Sequence, residues 1–159
     1  MTDSNGFLAI WSDIAREQET DYLHWLTREH TAERVGISGF LGVRVFRART
    51  KDVGRYFILY QLQASSVVKS ATYLERLNAP TAWSRRIMPL LSNFVRGGGS
   101  VVAEAGLGQG ALICPLVLPA SEKESVRSLR QSLRGIQPTR NRQRSVLEAQ
   151  PVGSAVVRA

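Results

Sequence analysis

One short stretch of the sequence gathers side chains that could transfer a proton. His30 is preceded directly by Glu29 and followed three residues later by Glu33. An imidazole titrates near neutral pH, and a nearby carboxylate can orient it, so His30 is the best candidate for an acid or a base. A structural role is the stronger alternative, because a histidine at the C-terminal end of a helix interacts favourably with the helix dipole and caps it. His24 lies about 120° away on a regular helix and is not expected to act with His30.

Two arginines could steady an anionic oxygen beside that histidine. Arg34 follows Glu33 directly, and Arg44 shares a strand face with Phe46. A guanidinium that reaches a ligand carboxylate has to be partly buried, so Arg34 and Arg44 join His30 as candidate catalytic residues. Plainer roles compete with this one, namely a surface salt bridge for Arg34 and an exposed edge position for Arg44.

Large aromatic side chains recur along the chain. Trp11, Trp25, Tyr60 and Trp83 could line a pocket for a planar, apolar ligand, with their indole and phenol groups giving orientation. Core packing is the stronger alternative, because aromatics at strand and helix spacing normally fill interiors. These four residues are the candidate ligand-binding set.

The sequence has no pattern typical of a disulfide, a zinc site or a phosphate loop. Cys114 is the single cysteine and lies in an apolar run, which favours a buried thiol and excludes an intrachain disulfide. The two histidines and one cysteine have no spacing typical of a zinc site. Residues 97–99 are three glycines without the lysine and hydroxyl residue of a phosphate loop. We therefore expect neither a metal nor a cofactor.

Hydrophobic periodicity predicts the elements that must position these side chains. Their order is strand, helix, strand, strand, helix, strand, which is the ferredoxin-like split βαβ arrangement of an α+β protein, an antiparallel sheet with helices on one face. Neither strand of the central hairpin has a cleanly polar face, so we expect a sheet covered on both sides. The predicted elements are a strand at 7–11, a helix at 13–30, strands at 40–50 and 55–63, a helix from Ser65–Ser66 to 78, a short helix at 81–89, and a strand from 94 to 105.

The pattern begins again after residue 110 and is not completed. A strand at 111–118, a helix at 121–134 and a strand at 145–150 are expected, with 137–144 as an exposed connection. We therefore divide the chain into a ferredoxin-like unit at 1–110 and a partial second repeat at 111–159. The second is expected to pack on the first within one structural domain and to carry a basic C-terminal segment.

Composition limits the partners. At 159 residues, 43% hydrophobic and 21% charged, the chain is typical of a globular domain, and no run is long enough to span a membrane. The polar N-terminus lacks the pattern of a secretory signal, so a cytoplasmic location is expected. The net charge is +8, and residues 120–159 carry 8 basic and 3 acidic side chains but no aromatic one. Charge without stacking residues is a weak signal for nucleic-acid binding.

A set of residues within about 6–105 carries a resemblance to a known group of proteins. The residues are Trp25, Glu29-His30, Glu33-Arg34, Gly39-Phe40, Tyr60, Tyr73-Leu74, Leu77-Asn78, Pro80-Thr81 and Trp83. With them the sequence resembles the dimeric α/β-barrel superfamily, in an uncharacterised bacterial branch similar to EthD-like and antibiotic-biosynthesis-monooxygenase-like proteins. The resemblance implies that two ferredoxin-like sheets join face to face in a homodimer.

Three functions are consistent with these patterns. The first is cofactor-independent binding or transformation of a small apolar or aromatic compound, with His30 as acid or base and Arg34 or Arg44 steadying an anionic oxygen. The second is a non-catalytic binding or assembly protein. The third and weakest is nucleic-acid binding through the basic tail.

Overall fold

The computed structural model describes residues 5–105, 110–115 and 144–150, together with Ser128 and Gln131, and within 144–150 it describes the backbone alone. Two compact units make up the chain, residues 1–100 with 149–159 and residues 101–148. Among the described helices, none has the length and apolar character needed to cross a membrane.

An antiparallel sheet with the ferredoxin-like strand order is the main element of the fold. β1 pairs antiparallel with both β3 and β4, and β2 pairs antiparallel with β3. The order β2-β3-β1-β4 confirms the predicted α+β arrangement, in which two strand–helix–strand units interleave. A fifth strand follows β4 in the sheet. The strands are β1 (Gly6–Ala15), β2 (Phe40–Arg47), β3 (Val53–Leu62), β4 (Ser92–Ala105) and β5 (Arg144–Gln150).

The first strand is longer than predicted. β1 continues to Ala15, so the prediction of a helix from Asp13 is wrong. Ile14 is fully buried in the core, and Asp13 pairs with Arg55 of the neighbouring strand. Those two contacts hold the backbone extended where the acidic residues of the sequence indicated a helix start.

The first helical segment ends later than predicted. The helical backbone passes through His30 and ends at Val35, with Gly36 as the C-cap. The interpretation of His30 as a C-terminal cap is therefore wrong, because a complete further turn follows it. The segment comprises a 3-10 turn (Arg16–Gln18), α1 (Glu19–Trp25), a π-helical turn (Leu26–His30) and α2 (Thr31–Val35).

Two short helices connect β3 to β4, as the sequence predicted. Ser70 caps α3 (Ala71–Asn78) by accepting a hydrogen bond from a backbone N–H of the first turn. The two serines predicted as this cap instead begin a 3-10 turn, Ser65–Lys69. Thr81 caps α4 (Ala82–Ile87) in the same way as Ser70 caps α3.

The apolar run around Cys114 differs from expectation. Residues 111–115 form no strand and are exposed, so the predicted strand at 111–118 is wrong over the part that the structure describes. Pro115 has no N–H to donate to a sheet, which disfavours a strand at this point. Cys114 is exposed and not buried as predicted.

The rest of the second repeat is described only in part. Ser128 and Gln131 are helical, and the remainder of the predicted helix at 121–134 lies outside the described residues. The strand predicted at 145–150 is confirmed by β5. Most of the exposed connection predicted at 137–144 also lies outside the described residues.

The helices cover one face of the sheet, which we call the inner face. Alternate residues of β1 and β3 point towards this face and form one buried cluster with the helices. Burial of each large apolar side chain contributes about 1.5–3 kcal/mol. Its strand members are Leu8, Ile10, Ile14, Tyr56, Ile58, Tyr60 and Leu62, and its main helical members are Tyr22, Trp25, Leu26, Tyr73 and Ile87.

The opposite face, which we call the outer face, is also apolar. The rings of Trp11 and Phe46 lie 4.7 Å and 6.2 Å from the ring of Phe57. Phe7 and Phe57 are both buried. These contacts agree with the two-sided apolar pattern of the strands. The homodimeric barrel that the resemblance implies stays a prediction.

A network of ion pairs fixes the start of α1 to the sheet. The Glu19 carboxylate accepts hydrogen bonds from Arg16, from Arg47 of β2 and from the Tyr56 hydroxyl of β3. These donors, led by Arg47 and Tyr56, lower the pKa of Glu19 to about 2. The carboxylate is therefore ionised in the folded protein and satisfied by its partners.

Gly54 has no side chain, so the Glu19 carboxylate can lie directly against its backbone. A Cβ at Gly54 would lie 2.5 Å from Glu19 Oε1 and 3.0 Å from Ile14 Cγ2. We expect Gly54→Ala to lower the free energy of unfolding by about 1–2 kcal/mol, because the carboxylate must leave its donors. Gly97→Ala is the matched control, since a Cβ there meets no atom within 4 Å. Urea unfolding measures the free energy of unfolding of both variants. Equal stability of Gly54→Ala and Gly97→Ala would contradict the prediction.

Candidate functional site

A π-helical turn places His30 in the interior. The turn spans Leu26–His30, between α1 and α2, and both of its end residues are buried. π-Turns are rare and occur frequently at functional sites. The imidazole lies 4.3 Å from the Trp25 ring, and only 9% of His30 is exposed. His24, by contrast, is exposed, so the two histidines do not share a site.

Arg34 follows His30 by one helical turn and is buried with it. Its exposed fraction is 7%, and its Cζ lies 5.8 Å from the centre of the Tyr73 ring. The surface salt bridge considered for Arg34 is not formed, because Glu33 lies instead 3.8 Å from Arg76. Within the described part of the chain, Arg34 forms no ion pair.

The two carboxylates predicted to assist His30 have other partners. Glu29 accepts a hydrogen bond of 2.6 Å from the Thr81 hydroxyl, and Glu33 pairs with Arg76. Neither is hydrogen-bonded to the imidazole. Within the part of the chain that the structure describes, His30 is therefore not part of a carboxylate–histidine pair.

Tyr60, Tyr73 and Arg96 complete the surroundings of Arg34. Tyr60 of β3 is fully buried, and Phe40 lies 5.5 Å from it and 5.7 Å from Tyr73. Arg96 of β4 pairs with Ile10 of β1. Paired residues of neighbouring strands point to the same side of a sheet, so Arg96 points to the inner face as Ile10 does. Its Nη2 donates a hydrogen bond to the Tyr73 hydroxyl, and its Cζ is 5.4 Å from that ring. We call His30, Arg34, Tyr60, Tyr73 and Arg96 the inner polar cluster.

Four buried polar atoms of this cluster lack a hydrogen-bond partner among the described residues. They are His30 Nδ1, Arg34 Nη1, the Tyr60 hydroxyl and Arg96 Nε. Each can present an N–H or O–H donor, with the imidazole depending on its tautomer. Buried polar atoms in proteins are nearly always paired, so their grouping in one place indicates that the cluster is built to contact something else.

Burial sets the protonation states of the cluster. Desolvation, followed by the charge of Arg34, lowers the pKa of His30 to about 3. Desolvation also raises the pKa of Tyr60, and the nearby charge of Arg34 offsets part of that rise. At neutral pH the imidazole is therefore uncharged and the phenol protonated. Among the described residues, no three His, Cys, Asp or Glu side chains could hold a metal ion.

The structure does not bring Arg44 and Trp11 to this cluster. Arg44 lies opposite Leu59 on the outer face, with its Cζ 4.7 Å from the Phe46 ring. Trp11 packs on Phe57 of the same face. The hypothesis that Arg44 acts beside His30 is therefore wrong, because alternation along the strands sends the two to opposite sides of the sheet.

The other sequence candidates lie on the inner side. Trp25 contacts His30 and donates a hydrogen bond of 3.1 Å to Ser84, and Tyr60 belongs to the cluster itself. Trp83 is half-buried in α4 and donates to Asp21 of α1. Trp83 therefore joins two helices and is not part of the inner polar cluster.

Arg96 and Tyr73 were not among the residues predicted for the site. Arg96 directly precedes the three glycines at 97–99, and only the pairing of β4 with β1 could have placed it on the inner face. Tyr73 was named only among the residues that carry the family resemblance, and its contact with two guanidiniums depends on the packing of α3 against the sheet.

Comparison with known proteins finds solved structures that are similar to this chain in fold. No protein-family model matches the sequence, and no curated protein matches it. One similar structure is a Bacillus cereus protein provisionally assigned as an antibiotic biosynthesis monooxygenase, with 11% identity, a TM-score of 0.44, and coverage of 63% of this chain and 95% of that one. Another is a conserved Bacteroides thetaiotaomicron protein of unknown function, suggested to be an oxidoreductase, with 17% identity, a TM-score of 0.42, and coverage of 62% and 98%. Neither bears on the activity of this chain.

Proposed function

We propose that the protein binds a small, largely apolar or aromatic compound at the inner polar cluster. The observation that carries this proposal is the group of four unpaired, buried polar atoms. An unpaired buried donor costs about 1–3 kcal/mol, so four of them in one place are a substantial loss of stability. A ligand that accepts hydrogen bonds would recover that loss on binding.

Aromatic rings lie beside these donors and favour a ligand with an apolar or aromatic body. Phe40 stacks on Tyr73 with an angle of 25° between the rings, and Trp25 lies against His30. Pockets for small molecules combine such apolar walls with a few placed polar groups. A planar, apolar body with at least one polar end therefore fits the cluster best.

Binding stands ahead of proton transfer in this proposal. The ideal pKa of a catalytic acid or base lies near the working pH, whereas burial and Arg34 lower the pKa of His30 to about 3. The resting imidazole is thus a neutral hydrogen-bonding group. An acid–base role for His30 would need a bound anion near Arg34 to raise that pKa again.

The first test uses benzyl alcohol, a neutral aromatic probe, and the two histidines as reporters. We expect the ring resonances of His30 to shift on titration, followed by NMR on protein labelled at histidine, because the probe would lie beside the imidazole. The resonances of exposed His24 should stay in place, and a His24→Gln variant assigns the two signals. If the His30 resonances do not move up to the solubility limit of the probe, the proposed function is wrong.

A further inference from the structure

The arrangement of charge in the inner polar cluster points to one class of ligand. We infer that the cluster binds a carboxylate carried on an apolar or aromatic body, with Arg34 and Arg96 as the residues that hold it. The inference rests on the proposed function and names its ligand class.

Two guanidiniums lie against a single ring. The Cζ atoms of Arg34 and Arg96 are 5.8 Å and 5.4 Å from the centre of the Tyr73 ring. Cation–π contact attracts each of them to the ring, but it does not neutralise either charge. Tyr73 thus brings together two like charges that would otherwise repel each other.

Neither guanidinium has an acidic partner among the described side chains. Among the residues that the structure describes, Arg34 and Arg96 form no ion pair, whereas five other arginines do, through contacts with Asp13, Glu19, Asp21 and Glu33. A buried cation without a counter-charge is strongly unfavourable. Arg34 is more than nine-tenths buried, so an anion that enters beside it would remove this penalty.

The unpaired atoms match the acceptors of a carboxylate. Arg34 Nη1 and Arg96 Nε are obligatory donors, and the Tyr60 hydroxyl and His30 Nδ1 can supply two more. An ionised carboxyl group offers about four acceptor positions on two oxygens. Hydrogen bonds between a guanidinium and a carboxylate are also stronger than neutral ones.

The aromatic side chains beside the cluster favour a carboxylate over inorganic phosphate. Phe40 stacks on Tyr73, and Trp25 lies against His30. A phosphate has more oxygens to satisfy and no apolar body to bury, whereas an aromatic acid can contact both the rings and the donors. We therefore expect aromatic carboxylates to bind in preference to free phosphate.

The experiment compares benzoate with benzamide, which has nearly the same shape but no charge, on the full-length protein. Calorimetry gives the Kd, and the His30 resonances report the location. We expect benzoate to bind about tenfold tighter than benzamide or more, because its hydrogen bonds are charge-assisted. Inorganic phosphate should bind more weakly than benzoate.

Arginine variants test which residues hold the carboxylate. Arg34→Met and Arg96→Met should each weaken benzoate about tenfold or more and leave benzamide nearly unchanged. Arg34→Lys keeps the charge and should retain part of the affinity for benzoate. It therefore serves as a second test of Arg34 if Arg34→Met does not fold. Arg28→Met removes the same charge from an exposed position of the first helical segment and should change nothing.

The possible outcomes separate the two proposals. Equal affinity for benzoate and benzamide, tighter binding of phosphate, or unchanged benzoate affinity in both arginine variants would overturn the carboxylate inference. In those cases movement of the His30 resonances would still support the proposed function. If neither aromatic probe moves them, both proposals fail.

Discussion

The ligand-free protein is expected to lose stability between pH 6.5 and pH 3 by about 1.4 kcal/mol for each pH unit, because His30 is buried uncharged. In the unfolded chain this imidazole binds a proton below its ordinary pKa of 6.5. In the folded protein burial and Arg34 lower the pKa to about 3. Between these values protons bind the unfolded state preferentially, so acid favours unfolding, by about 4 kcal/mol over the whole window.

The carboxylates of Glu19 and Asp13 bind protons at lower pH than His30 does, so their effects on stability can be distinguished from that of His30. The folded pKa of Glu19 is lowered to about 2 from 4.5, so Glu19 contributes stability that is present above pH 4.5 and lost as the pH falls towards 2. Asp13 also contributes stability that is lost in acid, because its hydrogen bonds with Arg55 lower its pKa in the folded protein. That contribution is present above pH 3.8, the ordinary pKa of the group, and declines as the pH falls below it. A glutamate of ordinary pKa already binds protons near pH 5 in the unfolded chain, so among the described residues the range from pH 6.5 to about 5.5 reports mainly on His30.

Urea unfolding at a series of pH values measures this slope. His30→Gln should abolish most of it above about pH 5.5, because glutamine does not titrate, and exposed His24→Gln should leave it intact. A wild-type slope that is absent, or that persists in His30→Gln, would show that the imidazole is not held uncharged in the interior.

Much of the fold could be predicted because it depends on local pattern. Hydrophobic periodicity predicted the order of strands and helices, and Thr81, where the second short helix was predicted to begin, caps α4. The other short helix is capped by Ser70 and not by the predicted Ser65–Ser66, which begin a 3-10 turn. The bounds of the first helix could not be predicted. They depend on the Asp13–Arg55 pair across two strands and on a π-turn, for which the sequence offers no signal.

The candidate site was predictable only where sequence neighbours stay together. His30 and Arg34 lie one turn apart on a helix, so both reach the same place. Arg44 and Trp11 were misplaced because both faces of the sheet are apolar, and composition then gives no sign of which face meets the helices. Arg96 is 62 residues beyond Arg34, and only the register of β4 against β1 brings it to the cluster.

Two arrangements of polar groups differ on the inner side of the sheet. The half-buried Glu19 carboxylate is satisfied by three donors, and its network joins α1 to β2 and β3. The inner polar cluster instead leaves four buried polar atoms without a hydrogen-bond partner among the described residues. Under the proposed function the first arrangement stabilises the fold, and the second lowers stability in return for donors that a ligand can use.

Two tyrosines of β3 allow this distinction to be measured. The Tyr56 hydroxyl donates a hydrogen bond of 2.6 Å to Glu19 Oε1, whereas the Tyr60 hydroxyl is buried without a partner among the described residues. We expect Tyr56→Phe to lower the free energy of unfolding by about 1–2 kcal/mol. Tyr60→Phe removes an unsatisfied polar atom without changing the shape of the ring, so it should raise that free energy by about 1–2 kcal/mol.

The two variants also differ in their expected effect on binding. Tyr60→Phe should weaken benzoate about fivefold, because it removes one donor from the cluster, while Tyr56→Phe should leave the Kd unchanged. Thermal or urea unfolding and calorimetry on the same preparations give both quantities. If Tyr60→Phe destabilises the protein as much as Tyr56→Phe does, the Tyr60 hydroxyl has a partner within the folded protein, such as a buried water. It would then not be one of the donors reserved for a ligand.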